Sequence, residues 1–138
     1  MDLNKIKILV VDDNKFMANA ICSAVRGVGI PNVFRAHDGY EAIKIASVEK
    51  LHLILLDLVM PGIDGFQTLK LLNSMEHSKD THIVVITAND DIESVTKAIK
   101  LGAKNYVLKS DVADFIKNKL TTILPDIFHK EVFVEVVE

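Results

Sequence analysis

The 138-residue sequence predicts one α/β domain in which a five-stranded parallel sheet is covered by helices on both faces. Five short apolar runs alternate with five segments whose apolar residues recur at three- and four-residue spacings. The runs are nearly continuous, which is typical of strands buried on both faces. Right-handed crossovers between parallel strands then place helices on both sides of the sheet.

The first two strands lie within the first 36 residues of the chain. Lys7–Val11 is a nearly continuous apolar run that predicts the first strand. The pattern from Phe16 to Val28 predicts an amphipathic helix with Phe16, Met17, Ala20, Ile21, Ala24, Val25 and Val28 at helical spacing. Gly27 and Gly29 end this helix, and Val33–Ala36 predicts a weaker second strand.

Three capping boxes predict the starts of the next helices. Each is an acidic acceptor followed three residues later by Glu or Gln: Asp38 with Glu41, Asp64 with Gln67, and Asp90 with Glu93. The helix after Asp38 turns Ala42, Ile43, Ile45 and Ala46 inward, and the helix after Asp64 runs through about Met75. The helix after Asp90 places Ile92, Val95, Ala98 and Ile99 on one face and ends at Gly102.

The remaining strands each end at a polar residue. They are Leu53–Leu56 ending at Asp57, Ile83–Ile86 ending at Thr87, and Asn105–Leu108 ending at Lys109. Ser110 or Asp111 then caps a last helix whose apolar face is Val112, Phe115, Ile116, Leu120 and Ile123.

Composition excludes several classes of function. A net charge of -3 gives no electrostatic basis for direct nucleic-acid binding. The longest apolar stretch, Leu51 to Met60, contains Asp57 and is too short to insert into a membrane. The single cysteine, Cys22, is expected to be a small core residue, and a reducing, cytoplasmic location fits.

Complementary polar groups end four of the five strands. Because ligands bind outside the carboxyl ends of parallel strands, Asp12, Asp13, Asp57, Thr87 and Lys109 should share one edge of the sheet. Each residue alone is explained by turn or capping chemistry. The set of three carboxylates, a hydroxyl and an ammonium is hard to attribute to turns.

This set of groups suits a divalent ion and a phosphoryl ligand. Close carboxylates repel unless a cation compensates them, and Mg2+ prefers oxygen ligands. The ion and Lys109 would neutralise phosphoryl oxygens, and the Thr87 hydroxyl would donate a hydrogen bond. A carboxylate is also a nucleophile that forms an aspartyl phosphate.

Four ordered motifs resemble the receiver domain of two-component response regulators. They are Val10–Asn14, Leu55–Gly65, Ile86–Ala88 and Gly102–Lys109, and the resemblance covers roughly residues 5 to 124. It implies a flavodoxin-like fold with strand order 2-1-3-4-5, a receiver domain over residues 1–124, and a C-terminal extension over residues 125–138.

The resemblance also implies a role for each site residue. Asp57 is the phosphoacceptor, and Asp12, Asp13 and the main-chain carbonyl of Val59 join it in holding Mg2+, with Mn2+ as an alternative ion. Thr87 follows the phosphoryl group, Lys109 is its cationic partner, and Tyr106 is the aromatic switch. No separate catalytic activity is expected beyond self-directed phosphoryl transfer and autodephosphorylation.

The partners implied are a histidine kinase or phosphotransfer protein as donor and a downstream protein target. The target would bind the surface formed by the fourth helix, the fifth strand and the fifth helix, which phosphorylation at Asp57 switches. No helix-turn-helix region follows, so direct transcriptional control is not expected.

Three features depart from the family pattern. Ser110 stands where the family usually has proline, so we expect a trans bond before it. Val59 and Asn89 flank the site at positions that, by the resemblance, tune hydrolysis of the aspartyl phosphate, and apolar Val59 predicts slower loss of phosphate. The extension carries the β-prone residues Val132, Phe133, Val134, Val136 and Val137.

The role of the extension has three interpretations. It adds a strand to a sheet edge, pairs two molecules into a homodimer, or begins an output domain. We favour an added or exchanged strand.

Three other functions compete with a phosphorylation switch. A phosphorylation-independent interaction module on the same fold would not need the polar set. A flavin-binding electron carrier is disfavoured because Asp12 and Asp13 would repel the FMN phosphate. An aspartate-based phosphatase would want a second carboxylate where Val59 stands.

Overall fold

The computed structural model describes residues 2–60, 62–88, 92–125 and 127. Strands and helices alternate along the chain. The elements are β1 (Lys7–Val11), α1 (Lys15–Gly27), β2 (Asn32–Ala36), α2 (Gly39–Val48), β3 (Leu53–Asp57), α3 (Gly65–Ser74), β4 (His82–Thr87), α4 (Ile92–Lys100), β5 (Asn105–Leu108) and α5 (Val112–Phe115).

The five strands form one parallel sheet in the order β2-β1-β3-β4-β5. The flavodoxin-like order 2-1-3-4-5 expected from the resemblance is therefore confirmed. In the register, Val11 pairs with Leu56 of β3, and Asp57 pairs with Ile86 of β4. The carboxyl ends of β1, β3 and β4 consequently meet at one edge.

The sheet separates two apolar cores, as a doubly covered parallel sheet requires. Alternate residues of β1 point to opposite sides, with Ile8 and Val10 in one core and Leu9 and Val11 in the other. The first core is completed by α1 and α5, and the second by α2, α3 and α4. Cys22 lies buried in the first core, as the sequence predicts.

Side-chain caps fix the starts of the first three helices. Asn14 accepts a hydrogen bond from the amide of Met17 at 3.0 Å, and Asp38 accepts one from the amide of Glu41 at 2.8 Å. Asp64 and Gln67 form the full capping box that the sequence predicts. At α2 the Glu41 carboxylate lies 2.7 Å from Nδ1 of His37.

Two helices carry apolar residues on the surface, which the periodic patterns do not reveal. Phe16 in the first turn of α1 is 87% exposed, and Ala20 is also exposed. On α4, Ile92 and Ile99 are exposed and Ala98 is the buried member of the predicted face. Helical spacing gives residues a common face but does not say whether another element covers it.

The start of the last helix differs from the prediction. Residues Lys109–Asp111 form a 3-10 turn, and Asp111 precedes α5 without a side-chain capping bond. The helix then continues through a π-helical turn, Ile116–Leu120, into residues 121–125. The peptide bond between Lys109 and Ser110 is trans, as expected.

Several predictions concern residues outside the described part of the chain. These are the capping role of Asp90, the flanking position of Asn89, and the strand character of residues 131–138. Within the described ranges, no helix is both long enough and apolar enough to cross a bilayer.

Candidate functional site

Polar residues from four strand ends come together at the carboxyl edge of the sheet. Asp12 follows β1, Asp57 ends β3, Thr87 ends β4, and Lys109 follows β5. Asp12, Asp57 and Thr87 are buried, whereas Asp13 is exposed. The convergence predicted from the strand ends is therefore present for the carboxylates and the lysine.

The Asp57 carboxylate is held on both oxygens. Its Oδ1 accepts a hydrogen bond from the Val59 amide at 3.1 Å, and its Oδ2 accepts one from Lys109 Nζ at 3.1 Å. Asp57 is 2% exposed and the Lys109 side chain is 26% exposed, so the carboxylate end of the ion pair is shielded from bulk water. Attraction is strong in such surroundings.

The Asp12 carboxylate is satisfied on only one side. Its Oδ1 accepts a hydrogen bond from the Asn14 amide at 2.8 Å. Its Oδ2 is buried with no hydrogen-bond partner among the described residues, and Lys109 Nζ lies 4.0 Å away. Burial raises the pKa of Asp12; the Asn14 amide opposes this, and the negative charge of Asp57 adds to it.

Lys109 is the cation that balances these carboxylates. Burial by itself would lower its pKa, but the hydrogen bond and charge of Asp57, with the charges of Asp12 and Asp13, outweigh burial and raise it. The ammonium group therefore stays charged well above neutral pH. One ammonium faces three carboxylates, which leaves the site short of positive charge.

The residues present fit a hard divalent cation. One carboxylate oxygen from each of Asp12, Asp13 and Asp57 lies within 4.8 Å of the others. The unpartnered Oδ2 of Asp12 provides an oxygen that a cation would satisfy. The predicted contribution of the Val59 carbonyl stays a prediction, and residue Val59 is 72% exposed beside the site.

The two predicted switch residues lie on neighbouring strands. Thr87 is 3% exposed at the end of β4, and Tyr106 on β5 is 41% exposed. The registers pair Val85 with Tyr106 and Thr87 with Leu108. The predicted coupling between Thr87 and Tyr106 stays a prediction.

Two main-chain contributions to the site escaped the sequence analysis. The amides of Asn14 and Val59 each donate to the carboxylate two residues earlier. A signal was available, because Asp commonly accepts from the amide two residues on.

A family model described as the response regulator receiver domain matches residues 8–121. The chain belongs to this family. The receiver is 32% identical over 122 residues to chemotaxis protein CheY-3 of Vibrio cholerae serotype O1, covering 88% of this chain and 94% of the relative.

Solved structures agree with the fold. Vibrio cholerae CheY4 is 24% identical, with a TM-score of 0.79, covering 86% of the receiver and 98% of that chain. A Burkholderia pseudomallei response regulator, solved with a phosphorylated aspartic acid, a calcium ion and citrate, is 29% identical with a TM-score of 0.76. That match covers 94% of this chain and 74% of the other.

Proposed function

We propose that this receiver accepts a phosphoryl group on Asp57 in a Mg2+-dependent reaction and thereby switches its binding to a partner protein. The observation that carries the proposal is the arrangement of Asp57, Lys109 and Asp12 at the site. The buried Asp57 carboxylate accepts a hydrogen bond from Lys109. A buried Asp12 oxygen beside them has no hydrogen-bond partner in the described part of the chain.

The carboxylates would hold the ion, and Lys109 would work with it. Asp12, Asp13 and Asp57 supply the oxygens, with the Val59 carbonyl as a further ligand. The ion, when bound, supplies positive charge that neutralises the oxygens of the transferred group. Mn2+ could replace Mg2+ because it accepts the same oxygen ligands.

Phosphoryl transfer requires a nucleophile, a cationic partner and a hydrogen-bond donor. An Asp57 oxygen forms the bond to phosphorus while the bond from phosphorus to the donor breaks, and the donor keeps that electron pair. Lys109 already lies 3.1 Å from Asp57 Oδ2 and would follow the charge onto the phosphoryl oxygens. The Thr87 hydroxyl would donate to one of those oxygens.

A relative supports this chemistry. The Burkholderia pseudomallei regulator was solved with a phosphorylated aspartic acid and a calcium ion. It is 29% identical to this receiver, which supports an aspartate as the acceptor here. The donor we propose is a histidine kinase or phosphotransfer protein.

The output surface we propose is formed by α4, β5 and α5. Ile92, Ile99 and Tyr106 are exposed there, so apolar area is available to a partner protein. Movement of Thr87 toward the phosphoryl group would let Tyr106 turn inward and change that surface. Outside self-directed transfer and autodephosphorylation, we propose no catalytic activity.

Intact mass after incubation with acetyl phosphate tests the acceptor. The wild-type receiver should gain one phosphoryl group in Mg2+ and none in EDTA, and Asp57→Asn should gain none. Asp80→Asn is the matched control, because Asp80 is exposed in the turn before β4. Full incorporation in Asp57→Asn would refute the assignment of Asp57.

If the wild type takes up no phosphoryl group, the same assay is repeated with purified histidine kinases. Failure there as well would favour a phosphorylation-independent interaction module on this fold.

A further inference from the structure

Helix α3 begins with a residue that helix propensity does not explain. Gly65 directly follows the N-cap Asp64, and glycine forms helices less readily than alanine. Among the described residues, the glycines with positive φ are Gly29, Gly62 and Gly102. The backbone conformation at Gly65 is therefore one that alanine would also adopt.

The reason for glycine is the backbone that faces it. A Cβ added at Gly65 would lie 2.3 Å from Leu58 Cα and 2.7 Å from the Asp57 carbonyl oxygen. The Gly65 amide donates a hydrogen bond to the Leu58 carbonyl at 2.9 Å, which holds the start of α3 against the segment after β3. Because the atoms in contact are main chain, no change of rotamer would relieve the overlap.

The segment pressed against Gly65 carries the phosphoacceptor. We infer that Gly65 is a positioning residue for Asp57, acting through the Asp57–Leu58 peptide. This inference rests on the proposed function, since the role of Asp57 as acceptor is part of it. A side chain at Gly65 would push that peptide away from α3 and displace the Asp57 carboxylate from Asp12 and Lys109.

The site is sensitive to such a shift. Asp57 Oδ2 lies 3.1 Å from Lys109 Nζ, and the three carboxylate oxygens must stay close to share one ion. A displacement of about 1 Å in a reacting group costs about 100-fold in rate. Gly65→Ala should therefore weaken Mg2+ binding and slow phosphoryl uptake together.

The control is a second glycine at which alanine would also be unfavourable but which does not contact the Asp57–Leu58 segment. Gly102 has φ +114°, and a Cβ there would lie 2.5 Å from the Asn73 side chain. It precedes β5 and so lies toward the opposite edge of the sheet. Gly102→Ala should lower stability and leave the carboxylates in place.

The experiment compares wild type, Gly65→Ala and Gly102→Ala by three measurements. Urea unfolding gives stability, amide chemical shifts during a Mg2+ titration give the dissociation constant, and intact mass gives the rate of phosphoryl uptake from acetyl phosphate. If Gly65→Ala is unfolded in buffer, all three proteins are compared in trimethylamine oxide, which favours the folded state.

We expect a loss of Mg2+ affinity and of uptake rate of about 10- to 100-fold in Gly65→Ala alone. Affinity and rate equal to those of Gly102→Ala, with only stability lowered, would overturn the inference. The Mg2+ measurement needs no phosphoryl transfer. If the wild type binds Mg2+ but takes up no phosphoryl group from any donor, the proposed function fails while the positioning of Asp57 is still tested.

Discussion

Replacing Asp12 with asparagine should stabilise the metal-free receiver at neutral pH. The change keeps the shape of the side chain, and its Oδ1 still accepts from the Asn14 amide. It removes a negative charge that is buried with one oxygen unpartnered among the described residues. A candidate site residue thus lowers stability, which is a common trade-off between stability and function.

The size of the effect follows from the distances. Repulsion between the Asp12 and Asp57 oxygens, which are no more than 4.8 Å apart, is at least about 3.5 kcal/mol at an effective dielectric constant of 20. Attraction from Lys109 at 4.0 Å is about 4 kcal/mol on the same scale, which offsets the repulsion from Asp57, while the exposed Asp13 carboxylate adds a repulsion that solvent screens. The cost of burying an oxygen that has no hydrogen-bond partner among the described residues remains, and it is about 1–3 kcal/mol.

The pKa of Asp12 fixes the sign of the pH dependence. It is raised from the ordinary value of 3.8, chiefly by burial, so the folded state holds this proton more tightly than the unfolded state. The stabilisation from the protonated carboxyl is complete below pH 3.8 and is lost as pH rises through the folded-state pKa. The advantage of Asp12→Asn should therefore be largest at neutral pH and vanish near pH 3.8.

Urea unfolding in EDTA at several pH values measures this difference. Adding Mg2+ should then reduce the difference in the free energy of unfolding between Asp12→Asn and wild type. A ligand present at 100 times its dissociation constant adds about 2.7 kcal/mol to the stability of the protein that binds it, which here is the wild type alone. Asp80→Asn, on the exposed turn before β4, should change stability by less than about 0.5 kcal/mol. An Asp12→Asn variant that is less stable than wild type in EDTA at pH 7 would refute the reasoning.

Three further predictions concern separate features. The Cys22 thiol, whose pKa is raised by burial, should react with a thiol reagent only as fast as the protein unfolds. Rapid labelling in native buffer would mean that Cys22 is accessible in the folded protein. Asp64→Ala removes the capping box and should cost about 1 kcal/mol in urea unfolding, whereas an unchanged midpoint would mean that α3 does not depend on it. Val59→Asn should shorten the lifetime of the phosphorylated receiver, measured by loss of adduct mass, since an exposed amide beside Asp57 can orient water; an equal or longer lifetime would contradict this.

The sequence was sufficient for the strands and for their polar ends. Burial on both faces makes each strand a continuous apolar run, and Asp57 and Lys109 follow such runs directly. Capping was partly predictable, because Asp64 acts on residues three positions away. These features are local, so a single sequence contains them.

The remaining features depend on contacts between residues that are far apart in the sequence. The spacing of Phe16 and Ile92 is helical, but their exposure depends on whether another element covers them. The burial of the Asp12 carboxylate and the approach of Gly65 to Leu58 exist only after β1, β3 and α3 have packed. No local pattern contains that information.

The strand order also has a consequence for how the chain is made. β2, β1 and β3 are neighbours in the sheet and come from the first 57 residues, while β4 and β5 join one edge in succession. During synthesis, Asp12, Asp13 and Asp57 can gather before Lys109 exists. A chain synthesised only through β3 would therefore carry these three carboxylates without the ammonium group of Lys109, so the charge balance of the site is completed only after the last strand is made.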